Sequence, residues 1–163
     1  MKGSSAALLI ACAFGVACGP AADRAPTPAQ SSRVAPVPAG VTFGAVDNPR
    51  AERVSMVRVL ADPASLDKKS VAVVGYLDLA FESNHFCLHK EDADELLLSN
   101  CVSISVPNSP EVQALNRRYV GVWGTVVVGR SGHMGLFDLS IQDVRQIEPM
   151  LNKEELKHAG KAQ

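Results

Sequence analysis

SVAVVGYLDLAFESNHF, running from Ser70 to Phe86, is the stretch on which the fold turns. Val71, Val73, Gly75, Leu77 and Leu79 alternate with Ala72, Val74, Tyr76 and Asp78, which is the period of a β-strand. Apolar residues fill both sets in the early half. That predicts a strand buried on two faces there and open to solvent only near Asp78. Gly75 inside the run predicts a bend or bulge of the kind that curls a strand round a small closed barrel.

Upstream, Met56 to Ala61 reads as a short helix, capped by Ser55, with Val54 and Val59 spaced as a hydrophobic staple and Asp62-Pro63 as its stop. Downstream, the polar break Glu82-Ser83-Asn84 precedes a second strand, His85 to His89. Phe86 and Leu88 share one face of it, and His85, Cys87 and His89 the other. The carboxylates Glu91, Asp92, Asp94 and Glu95 lack the spacing of an EF-hand and read as a solvated loop. Cys101 to Val106 is a third strand, with Val102, Ile104 and Val106 predicted inside and Cys101, Ser103 and Ser105 wet.

Pro107 and Pro110 end that strand, and Ser109 caps a helix expected to run to Arg118. Tyr119 to Val128, YVGVWGTVVV, is a fourth strand. A glycine corner, Gly129 to Gly135, leads to a fifth, Leu136 to Ile147. Within the corner, His133 and Met134 read as a tight turn with Met134 packed over the barrel end. The last helix, Lys153 to Ala159, has Asn152 as cap and Glu155 at capping-box spacing, and is polar enough to predict an exposed tail.

Strand, strand, strand, helix, strand, strand is the order of the OB-fold, a five-stranded Greek-key barrel. The expected architecture is therefore mainly β: a five-stranded OB-fold-like barrel over residues 51–149, with a short helix before its first strand, a helix between strands three and four, and a C-terminal helix or tail over 150–163. The pattern of Val54-Ser55, Leu60, Asp62-Pro63, Val71-Ala72-Val73-Val74-Gly75-Tyr76, His89-Lys90-Glu91, Arg118-Tyr119-Val120, Gly124-Thr125 and Gly132-His133-Met134-Gly135 resembles a family of uncharacterised exported bacterial OB-fold proteins, many of them lipoproteins. That resemblance implies fold and export, and no catalytic residues.

The amino terminus points the same way. Lys2 and the apolar run Ala6 to Ala17 form a signal-peptide pattern, too short to span a bilayer, which takes roughly 20 apolar residues. Gly15-Val16-Ala17-Cys18 resembles a lipobox. It predicts a signal peptide over 1–17 and acylation of Cys18, with simple secretory cleavage near Ala17 or Ala22 as the alternative. The absence of Asp after Cys18 implies the periplasmic face of the outer membrane in a Gram-negative cell. Residues 18–50 carry six of the ten prolines, and predict an extended tether holding the domain off the bilayer.

Charge narrows the partners. Between Arg50 and Met150 ten Lys and Arg stand against thirteen Asp and Glu, a poor complement to nucleic acid. No nucleophile triad, phosphate loop or HExxH is present, and no cofactor is expected. Cys87 and Cys101 form an even pair in an exported domain. A disulfide, free thiols, and a zinc or copper site built from His85, Cys87 and His89 all remain open. The expected function is a non-enzymatic, lipid-anchored envelope module that binds a protein or small ligand on a face carrying Tyr76, His85, His89, Lys90 and Trp123. The alternative is a transition-metal-binding lipoprotein.

Overall fold

Strand β3 spans Ser70–Leu79 and is the hub of the molecule, because three other strands share its two edges. A computed structural model describes residues 36–44, 51–80 and 83–159. The expected signal peptide, the acylated Cys18 and most of the tether lie outside the described residues. The protein is mainly β, with seven strands in one mixed sheet where five were expected. The other six are β1 (Val41–Thr42), β2 (Glu52–Ser55), β4 (Asn84–Cys87), β5 (Cys101–Ile104), β6 (Arg118–Ser131) and β7 (Phe137–Pro149).

Five of these close a hydrogen-bonded ring. β3 pairs antiparallel with β4, β4 with β5, β5 runs parallel to β7, β7 pairs antiparallel with β6, and β6 returns antiparallel to β3. The two additional strands cover edges that the ring leaves bare. β2 lies parallel to Val71–Val74 of β3, and β1 pairs with Gln146 and Ile147 of β7. The β1 pairing shortens the expected tether. Val41 and Phe43 pack on the core, and the Phe43 N–H donates to the Arg145 carbonyl at 2.7 Å, so folded structure begins before residue 50.

The inner face is as the alternation predicts. Val71, Val73 and Leu77 meet Phe86, Val102, Ile104, Val120, Val122, Ile141 and Ile147 in one buried cluster. Each such fully buried side chain stabilises the fold by about 1.5–3 kcal/mol. Helix α1 (Met56–Ala61) contributes Met56 and Val59 to this cluster, and the Ser55 hydroxyl accepts from the Arg58 N–H at 3.2 Å as the expected cap. Gly75 is needed for close approach rather than for a bulge. The β3–β6 register is unbroken there, but a Cβ at Gly75 would sit 2.7 Å from the Cys87 carbonyl and 2.8 Å from the Phe86 ring. The irregularity lies instead between β6 and β7, where the step from Trp123 to Thr125 faces the longer step from Gln146 to Gln142, so the extra residues belong to β7, in which Asp143 has φ at +47°.

Helix placement differs from expectation in three places. The helix after β5, α3 (Pro110–Gln113), is one turn long, because Asn116 turns away to cap the end of β3: its side chain accepts from the Leu79 N–H at 2.7 Å and donates to the Leu79 carbonyl at 3.1 Å. The acidic loop is a helical turn, α2 (Lys90–Asp94), in which buried Asp92 accepts from the His89 N–H and the Asn100 amide, both at 2.8 Å. The C-terminal helix α4 (Lys153–Ala159) has its capping box, with Asn152 N–H donating to Glu155 at 2.8 Å, but it is docked rather than loose. Glu155 is buried and paired with Arg118 of β6. Met134 does not cover the barrel end either, being 85% exposed with φ at +54°.

Candidate functional site: the outer face of β3 and β6

Strand periodicity puts Ala72, Val74 and Tyr76 of β3 on the outer face, and the register sets them opposite Trp123, Gly121 and Tyr119 of β6. The two ends of this face differ. Around Val74 it is open, and Val74 is 50% exposed. Trp123 lies over Gly121, where a Cβ would come 3.2 Å from the indole ring and 3.4 Å from the Met150 methyl. Together with Val57 and Leu88 these residues bound an apolar groove of about 700 Å³, with Arg53 and Glu148 at its borders.

Around Tyr76 the face is closed. Cys87 and Cys101 stand directly opposite each other on β4 and β5 and are joined by a disulfide. Tyr76, Ala93 and Phe137 pack with that bridge in a second buried cluster outside the ring. The Tyr119 ring meets Tyr76 edge-on at 5.3 Å, and its hydroxyl accepts from the Lys90 N–H at 3.1 Å. Burial pushes the Tyr76 phenol pKa up. This covering corrects two expectations. β3 is closed on both faces in its later half and open in its earlier one, and Cys101 and Ser103 are buried rather than wet.

The residues expected on one ligand face are dispersed. Trp123 lines the apolar groove. Tyr76 and Lys90 border a smaller depression of about 280 Å³, which shares only Met150 with that groove. Lys90 is paired with Asp94, which also pairs with Arg117, and the hydrogen bond to Asp94 holds the Lys90 pKa above its ordinary value. The same two partners, Lys90 first, hold the Asp94 carboxyl below the usual range. His85 is buried. Its Nε2 is 2.8 Å from the Ser83 hydroxyl, its ring is tilted on Phe137 at 5.2 Å, and its Nδ1 has no partner among the described residues. Burial lowers its pKa. His89 is exposed at the start of α2.

The metal reading of His85, Cys87 and His89 is corrected by the same geometry. The disulfide removes Cys87 as a thiolate, and His89 falls past the end of β4, so the expected strand face does not carry three ligands. Among the described residues no group of three His, Cys, Asp or Glu could hold a metal ion.

Sequence reasoning missed Val74, Gly121 and Met150 as the groove around Trp123. The Gly-x-Trp spacing in VGVWG was the available signal, since period two places both residues on one face. It also missed a second, polar depression lined by serines from β5 and β7. Those residues come from separate segments and meet only through the strand order.

Comparisons with known proteins add little. No family model matches the sequence, and no curated protein does. One solved structure, described as an aspartyl-tRNA synthetase from Leishmania major Friedlin, aligns over 72% of this chain at 12% identity with a TM-score of 0.40. The chain covers 24% of that structure's length, and at this similarity the match carries no argument.

Proposed function

We propose that the protein is an exported, lipid-anchored OB-fold binding module that holds an extended apolar peptide segment of an envelope protein, without enzymatic activity. The OB-fold reading is supported by the closure order β3-β4-β5-β7-β6, the parallel β5–β7 pair and the helical turn between β5 and β6. Export and the anchor on Cys18 rest on the amino-terminal pattern.

The observation that carries the binding reading is the open groove: a half-buried Trp123 beside a half-exposed Val74, on a face whose other end buries Tyr76. Exposed aromatic and apolar side chains that converge in a concavity favour an apolar partner, with orientation set by polar groups such as Arg53 and Glu148 at the borders.

Trp123 is the one tryptophan in the chain, so its emission reports the groove directly. A photo-crosslinking residue at Val57 should give one discrete envelope adduct in cells. Trp123→Ala should abolish that adduct, and Cys18→Ser should move the protein from membranes to the soluble fraction. Unchanged crosslinking in Trp123→Ala defeats the groove reading, and continued membrane association of Cys18→Ser defeats the anchor.

A further inference from the structure

The depression that Tyr76 and Lys90 border begins two residues further along β3 and β6 than Val74 and Gly121, about 7 Å at the rise of a strand. Met150 is the wall it shares with the Trp123 groove. At about 280 Å³ it is smaller than the roughly 300–1,000 Å³ that encloses a whole small molecule, and it suits an end group. We propose, resting on the groove reading above, that this depression seats the terminal carboxylate of the bound peptide. The partner segment is then an apolar C-terminal end rather than an internal stretch.

A surplus of donors is the first argument. The carbonyl and carboxylate oxygens at the wall are already engaged: Asn152 Oδ1 accepts from the Glu154 and Glu155 N–H groups, both at 3.0 Å, and the Glu155 carboxylate accepts from Arg118 and from the Asn152 N–H. The donors are not used up. The Tyr119 hydroxyl accepts from the Lys90 N–H, which leaves its own proton to give. The Tyr76 hydroxyl and the Asn152 amide nitrogen make no hydrogen bond among the described residues, and the buried Arg118 Nε has no partner either. Buried donors normally find acceptors, and an ionised carboxylate offers acceptors alone.

The placing of charge is the second argument. Lys90, Arg117 and Arg118 line the depression against Glu155 alone, whereas Asp78 and Asp94, the carboxylates that pair with Lys90 and Arg117, do not line it. An ammonium carries three N–H donors and a guanidinium five, more than those pairs occupy. After burial itself, Arg117 and Lys90 act on the Tyr76 phenol more strongly than Asp94 and Asp78 do. Arg117 is fixed beside it by its backbone, which takes φ at +57° and donates its N–H to the Leu77 carbonyl at 2.9 Å. The apolar side chains of the peptide stay over Gly121 and Trp123, and only its end reaches the margin of the covered half.

The test uses the full chain with Trp123 emission as the readout. The probes are acetylated tetrapeptides of alanine and valine ending in leucine, isoleucine or phenylalanine, each as the free acid and as the C-terminal amide, with hexanoate as a carboxylate that has no peptide. A saturable emission change is expected, with the free acid binding about tenfold tighter than the amide, the worth of a charge-assisted hydrogen bond. Tyr76→Phe, which keeps the ring, and Arg117→Gln, which alters a half-exposed side chain, should each bring that ratio down to about threefold or less. The inference is overturned by equal binding of acid and amide, by a ratio that both variants leave unchanged, or by hexanoate binding as tightly as the free acid. Equal binding of acid and amide leaves the groove reading standing. Binding of neither form overturns both.

Discussion

The two halves of the β3–β6 outer face are built from the same kind of sequence and end in opposite states. Val74 opposite Gly121 stays half-exposed, whereas Tyr76 opposite Tyr119, two residues along the same strand, is 3% exposed. The difference is not hydrophobicity. It comes from what β4 brings to the later half: the disulfide to β5, and behind it α2 with Ala93 and the ring of Phe137. The earlier half is flanked by β2, which completes the edge of β3 but leaves the outer face uncovered. Stability is thus concentrated on the closed half and binding surface on the open one.

The largest expected effect breaks the closed half. Tyr76→Ala removes a buried ring that contacts both Tyr119 and the disulfide cluster, and truncations of this kind cost about 3–4 kcal/mol. Chemical denaturation should show a midpoint loss of that size. A loss under about 1 kcal/mol means the cluster is only a veneer on the ring. Close behind comes the bridge itself. Cys87 and Cys101 are 14 residues apart in sequence, a loop whose closure is worth about 3 kcal/mol in the chain-entropy account. The Cys87→Ser, Cys101→Ser double variant, and the reduced wild type, should both melt lower. Equal melting with and without reductant argues against the bridge as the fastener of this half.

The ring strands and the inner face were legible in the sequence because they rest on local alternation: Val71, Val73 and Leu77 could face only inward if the strand existed at all. The covering of the outer face was not legible. Cys101, Ser103 and Ser105 alternate as a wet face should, and Ser103 is buried only because the β6–β7 corner folds over it through Gly132 and Phe137. β1 and β2 were hidden for a different reason. A two-residue and a four-residue strand carry no periodicity of their own and form because ring edges need partners. The candidate site suffered most. Trp123 was expected on a ligand face with Tyr76 and His89, while Val74, Gly121 and Met150 could be placed beside it only by the register.

A smaller effect separates the halves by pH. Burial in the closed half holds the His85 pKa below the ordinary imidazole value, with Asp78 opposing. The unfolded chain therefore takes up a proton at higher pH than the folded one. Stability should rise with pH through the window between the lowered folded pKa and about 6.5, and fall as the solution is acidified through it. Denaturation midpoints across that window should show the slope, and His85→Asn should flatten it. An unchanged slope in the variant assigns the titration elsewhere.

The smallest expected effect on stability is the sharpest test of the contrast. Val74→Ser shortens an apolar side chain that is already half in water, so the loss of burial is slight and the folding free energy should move by no more than about 0.5 kcal/mol. The same change places a hydroxyl on the floor of the groove beside Trp123, where an apolar ligand would have to desolvate it without a partner. Melting temperature should therefore hold while ligand-dependent Trp123 emission changes require more ligand to appear. Stability and binding respond to opposite halves only if both outcomes occur together. A large melting loss in Val74→Ser would mean that the open half contributes to the fold as much as Tyr76 does, and the division between them would disappear.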